Sequence, residues 1–194
     1  KTVGQGVEGM REIADEVLDE TFATSLKGQT KEYAESSAQL FFAFGLALLL
    51  VYLVLSAQFE SFRDSLTILL TVPLALAGAL GSLWYFDQTL NVFSQIGMIM
   101  LIGLVTKNGI LIVEFANQRR AEGAGLIEAA REAAEVRFRP VLMTAISTTL
   151  GILPIALALG AGAESRIPMG IAVIGGMVVG SLLTLFVVPA MYTF

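Results

Sequence analysis

Gln88–Phe115, QTLNVFSQIGMIMLIGLVTKNGILIVEF, carries no charge from Gln88 to Thr106 and none from Asn108 to Val113, with Lys107 standing alone between. A bilayer core of about 30 Å takes about 20 helical residues, so the stretch is long enough to cross one. Hydrocarbon offers no water to backbone N–H and C=O groups. Helix, which satisfies them within the segment, is therefore the expected state despite many β-branched residues. Outward from this stretch, Ser36–Phe59, Ser65–Phe86, Pro140–Ala163 and Ile167–Phe194 have the same character. The expected fold is an all-α bundle of five transmembrane helices over residues 36–194, with spans at 36–59, 65–86, 88–115, 140–163 and 167–194.

Composition points the same way. Hydrophobic residues make up 55% of the 194 and charged ones 15%, with a mean hydropathy of +0.75. A soluble domain of this size cannot hide so much apolar surface. The net charge of −5 comes mostly from acids in residues 1–35 and describes a soluble appendage, so no nucleic-acid partner is expected. With no cysteine and no histidine, disulfides, thiol chemistry and most transition-metal sites are excluded. No nucleophile with its base, phosphate loop or metal cluster is legible, and an enzyme is not expected.

Residues 5–20, QGVEGMREIADEVLDE, place Val7, Met10, Ile13, Val17 and Leu18 at helical spacing, and Thr21–Leu26 reads as a strand with Gly28 as its break. Residues 1–35 thus read as the end of a short α/β domain and its linker, too short to bury a core alone. The chain opens at Lys1 without an initiator Met and stops inside an apolar run, so it reads as an excerpt.

Alternating the connections across the membrane puts Arg63, Arg119, Arg120, Arg131, Arg137 and Arg139 on one side and Arg166 on the other. The positive-inside rule makes the first side cytoplasmic, leaving residues 1–35 outside. Gly125–Phe138, rich in Ala, Glu and Arg, is expected to form a short helix at the membrane surface before Pro140 opens the fourth span.

Lys107 is the residue with the most chemical content. It lies 12 residues before Arg119, about 18 Å along a helix, farther than a lysine stem snorkels easily. It is therefore expected inside the bundle, on an ion or proton pathway; the alternatives are a structural ion pair or a snorkelled side chain. Glu114, two turns along the same face, reads as an interfacial anchor. In the fourth span Thr144, Ser147 and Thr148 recur at i, i+3 and i+4, with Arg137 two turns before Thr144. Such a stripe carries water or protons, or else bonds its own carbonyls and packs small interfaces. The glycines of GAGAES (Gly160–Ser165) and IGGMVVG (Ile174–Gly180) read as close helix packing, and Pro73, Pro154 and Pro189 as kinks.

GLVTKNGILIVEF (Gly103–Phe115) resembles the C-terminal half of resistance-nodulation-division efflux pumps of the hydrophobe/amphiphile exporter branch. SAQFESFRDSLTILLTVPLALAGALG (Ser56–Gly81), RFRPVLMTAISTTLGILPIALALGAGAES (Arg137–Ser165) and IGGMVVGSLLTLFVVPAMY (Ile174–Tyr192) resemble it in the same order. The likeness covers residues 36–194 and, more weakly, 1–35, which resemble the end of the last porter subdomain.

That resemblance implies helices eight to twelve of a twelve-helix protomer, working as a homotrimer in the bacterial inner membrane with residues 1–35 periplasmic. It implies export of drugs or other amphiphilic small molecules in exchange for protons, with a periplasmic adaptor and an outer-membrane channel as partners and no cofactor beyond the proton. Lys107 matches the family lysine that pairs with two aspartates of the fourth helix, Asn108 follows it as the pattern has it, and Thr144 and Arg137 match the threonine and basic residue of the relay. No Asp lies in any of the five spans, so the paired intramembrane Asp would come from an N-terminal half. Lys107 and Asn108 also argue against the heavy-metal branch. The rival readings are a non-transporting five-helix module of the sterol-sensing kind, with Lys107 in a fixed ion pair, and an exporter of lipid or other cargo.

Overall fold

A computed structural model describes residues 3–18, 29–159 and 163–193. The expected strand Thr21–Leu26 and residues 160–162 of the GAGAES motif lie outside them. Among the described residues seven α-helices follow one another: α1 (Val3–Val17), α2 (Gln29–Phe59), α3 (Phe62–Leu69), α4 (Thr71–Tyr85), α5 (Val92–Ala121), α6 (Leu126–Ala156) and α7 (Ile167–Tyr192), with a 3-10 turn at Ala163–Arg166 before the last. By length and composition five segments can cross a membrane: Phe42–Phe59, Phe62–Tyr85 (α3 with α4), Val92–Ala121, Leu126–Ala156 and Ile167–Tyr192.

Two elements differ from the expectation. The second span is two helices broken at Leu70, because the Pro73 ring has no N–H to give the Leu69 carbonyl and crowds it. The fourth is one helix from Leu126 through Pro140 and Pro154 to Ala156, where a separate surface helix was expected. Ala129, Ala130 and Ala133 are fully buried in the bundle, so this strongly helix-forming stretch stays in line with the span. Pro140 then removes one hydrogen bond from the ladder without ending it.

Helix ends are closed locally. The Asn91 side chain accepts from the Ser94 N–H at 2.8 Å and Ser94 Oγ from the Asn91 N–H at 2.9 Å, starting α5 with two donors satisfied. Ser61 Oγ caps α3 by accepting from the Asp64 N–H at 3.2 Å. Exposed Trp84 and Tyr85 stand with Phe86 beside Asp87 at the end of α4, and the amphipathic Trp and Tyr rings suit a membrane surface.

The centre of the bundle is α4, α5 and α7. Half of the apolar windows of α5 and α7 is buried, against 6% for α2 and 11% for α6, which line the periphery. Glycine permits the closeness of α4 and α7. A methyl at Gly175 would stand 2.1 Å from Ser82 Oγ, and one at Gly176 would stand 2.2 Å from Leu101 Cδ2 and 2.9 Å from the Ala75 carbonyl. Ser82 Oγ uses the approach to donate to the Ile171 carbonyl at 3.1 Å across the seam. The packing reading of IGGMVVG is thus realised between these two helices.

Candidate functional site

α5 buries one face, with Leu101, Val105, Asn108 and Ile112 all under 3% exposed. A helix turns 100° per residue, so the side opposite presents Ile96, Met100, Gly103 and Lys107 as an exposed stripe. Lys107, expected inside the bundle, stands on the outside of these five spans, in the middle of an apolar helix. Which face of α5 these five spans cover was not legible in the sequence, because it depends on where α4 and α7 pack. Among the described residues no carboxylate lies within ion-pair distance of it. Beside it Gly103 leaves a notch: a methyl added there would meet nothing within 4 Å.

The other sequence-derived residues divide. Asn108, next to Lys107, turns inward to 1% exposure and donates from Nδ2 to Ser181 Oγ at 3.1 Å, fastening α5 to α7. Thr144 is half-buried and donates to the Val141 carbonyl at 2.9 Å, the local bond that hydroxyls on membrane helices commonly make. The Arg137 guanidinium sits 5.1 Å over the Phe115 ring of α5, and its Nε is buried with no hydrogen-bond partner among the described residues. Arg137 is thus brought to α5 one residue beyond Glu114, whereas no hydrogen bond joins Thr144 to Lys107. Glu114 accepts from Gln118 Nε2 at 3.3 Å, a local contact that suits an anchor near the helix end.

Sequence reasoning missed a polar network at that end of the bundle. Asn117 Nδ2 donates to Asp64 Oδ2 at 3.1 Å, and the buried Tyr192 hydroxyl donates to Asn117 Oδ1, tying α3, α5 and α7 together. Asp64 reads from sequence as a loop charge. Only the packing of three helix ends shows that it points at Asn117. Beyond the apolar spans, Arg119 bonds Glu122 and Glu132 and clips the start of α6 to the end of α5. The guanidinium holds the Glu132 carboxyl below its ordinary range.

Toward the opposite end, an apolar recess of about 200 Å³ opens between α2, α4 and α5, lined by Phe44, Leu76, Leu80 and Met98, with Gln95 at its wall. Gln95 Oε1 is buried there without a hydrogen-bond partner among the described residues.

A sequence model of the AcrB/AcrD/AcrF family matches residues 1–194. An uncharacterized transporter of Haemophilus influenzae is 39% identical over 98% of this chain and 19% of its own length. The multidrug resistance protein MdtC of Erwinia tasmaniensis is 41% identical over 88% of the chain and 17% of its own length. The solvent-resistant pump membrane transporter SrpB of Pseudomonas putida is 38% identical over 98% and 18%. The chain spans about a fifth of the length of these relatives. With a match running from its first residue to its last, the chain belongs to the AcrB/AcrD/AcrF family of resistance-nodulation-division transporters.

Proposed function

We propose that the chain supplies the cationic side of a proton relay in a drug and amphiphile exporter, with Lys107 as its moving part. The exposed ammonium in the middle of α5 carries this reading. A cation at that depth is costly in lipid and calls for a facing carboxylate, so the Lys107 and Gly103 stripe is a surface for further protein. The N-terminal half of the same protomer, with paired intramembrane Asp, fills that role in this reading.

The relay works by Coulomb's law at close quarters. An ionised carboxylate holds the ammonium, and a proton arriving on that carboxylate removes the attraction and frees the long side chain to swing to another acceptor. Proton uptake becomes a shift of α5. Asn108 holds α5 to α7 during that shift, so the two helices move as one body and carry it to α4 through the glycine seam. Thr144 and Arg137, on one stripe of α6, line the route along which protons pass. Outside the membrane, residues 1–35 belong to the porter domain that moves substrate, in a homotrimer joined to a periplasmic adaptor and an outer-membrane channel. The six arginines at the Arg119 end support a cytoplasmic side there, with the bacterial inner membrane as the site of the protein in this reading.

The test is drug efflux from cells carrying the full-length protein, with amounts checked by immunoblot. Lys107→Ala abolishes efflux at unchanged protein level in this reading. Wild-type efflux would return Lys107 to a fixed ion pair.

A further inference from the structure

The outer side of α6 and α7 carries a furrow that the relay does not use. At its mouth, Ala134, Glu135, Phe138 and Arg139 of α6 and Leu185 and Phe186 of α7 line a recess of about 400 Å³. Deeper along the same pair of helices, a second recess of about 200 Å³ is lined by Ile146, Thr149 and Leu150 of α6 and by Val178 and Leu182 of α7, among others. From Arg139 to Leu150 the rise is about 16 Å, half the bilayer core of about 30 Å and so the depth of one leaflet.

The ends of the furrow are chemically unlike. Ile146, Leu150, Val178, Leu182 and Phe186 are between 42% and 71% exposed and make an apolar channel open to the side. At the mouth the Glu135 carboxylate accepts from Arg131 Nε at 3.1 Å, while Arg139 has no carboxylate partner among the described residues. Arg137 does not compete for this place. Two residues along a helix are 200° apart, and it points to Phe115 on α5.

We propose that this furrow is a binding site for an anionic glycerophospholipid of the bilayer, its phosphate on Arg139 and one acyl chain laid between α6 and α7. Charge complementarity selects the occupant. A guanidinium at the membrane surface beside an apolar recess fits a phosphodiester, and a channel one leaflet deep fits a single chain. A zwitterionic lipid would add an ammonium close to Arg139 and bind less well.

Native mass spectrometry of the full-length transporter, titrated with phosphatidylglycerol or phosphatidylcholine, tests this. Wild type should bind phosphatidylglycerol more tightly. Arg139→Gln should weaken it about fivefold, the worth of one basic side chain at an anionic surface, with phosphatidylcholine unchanged. Arg139→Lys should keep most of the preference. Leu182→Trp, which fills the furrow and leaves the charge alone, should weaken both lipids. A photo-crosslinking residue at Val178 should capture lipid. Unchanged phosphatidylglycerol binding in Arg139→Gln overturns the proposal, as does capture at Val178 of a polypeptide, whether the N-terminal half or a second copy.

Discussion

The seam between α4 and α7 makes a quantitative demand on Gly176. Replacing it with alanine puts a methyl 2.2 Å from Leu101 Cδ2 and 2.9 Å from the backbone carbonyl of Ala75, against an ordinary contact of 3.4–4 Å. Leu101 is 1% exposed and has little room to turn away. The carbonyl belongs to the α4 backbone, so relief requires the two helices to part by roughly 0.5–1 Å along the contact. That separation also lengthens the 3.1 Å bond from Ser82 to the Ile171 carbonyl. Overpacking of this kind costs about 1–3 kcal/mol. At about 2 kcal/mol the ratio of folded to unfolded protein falls roughly thirtyfold. Gly151→Ala is the matched control, since a methyl there meets nothing within 4 Å. Thermal unfolding of the full-length transporter in detergent, read by size-exclusion chromatography after heating, should show Gly176→Ala melting lower than wild type and Gly151→Ala within error of it or higher. Equal midpoints for the two variants would refute the seam as the tight element of the bundle.

Gly103→Leu, on the open stripe beside Lys107, should leave the five spans folded yet abolish efflux by covering the surface for the partner half; normal efflux would remove that surface from the account. Asn117→Ala orphans a partly buried Asp64 carboxylate and the Tyr192 hydroxyl, and should lower stability by about 1–3 kcal/mol in the same heating assay, while Gln118→Ala, nearby but exposed, should be neutral. In an otherwise cysteine-free full-length transporter, a single cysteine at Asp87 should react with an impermeant thiol reagent applied to intact cells and one at Gly123 should not; labelling of Gly123 would reverse the orientation.

Reading the sequence succeeded where physics acts along the chain. Length and freedom from charge locate five membrane-length segments, because lipid penalises every charge and every unpaired backbone group alike. The place of Lys107 midway along its apolar stretch follows from counting residues. Which residues of α5 these five spans cover did not follow. The apolar stretches look alike on all sides in composition, and only the fit of Gly175 and Gly176 against Ser82 and Leu101 determines that α5 turns Asn108 inward and Lys107 outward. The Asp64, Asn117 and Tyr192 network was hidden for the same reason, since its members are 53 and 75 residues apart in pairs and each reads locally as a helix-end polar group. The extension of α6 through Pro140 shows the opposite failure. A residue that usually marks a boundary was overridden by three buried alanines just before it.

In the proposed relay proton uptake moves Lys107, and coupled proton flux reads that movement. The full-length transporter is reconstituted in liposomes with a pH-sensitive dye inside, and a drug substrate is added under an imposed proton gradient. Wild type should pass protons only with substrate present. Lys107→Ala should pass none beyond the background of empty liposomes, and Lys107→Arg little more, since a planar guanidinium does not replace a compact ammonium between close acceptors. Drug-dependent proton flux at the wild-type rate in Lys107→Ala would show that Lys107 is not part of the relay.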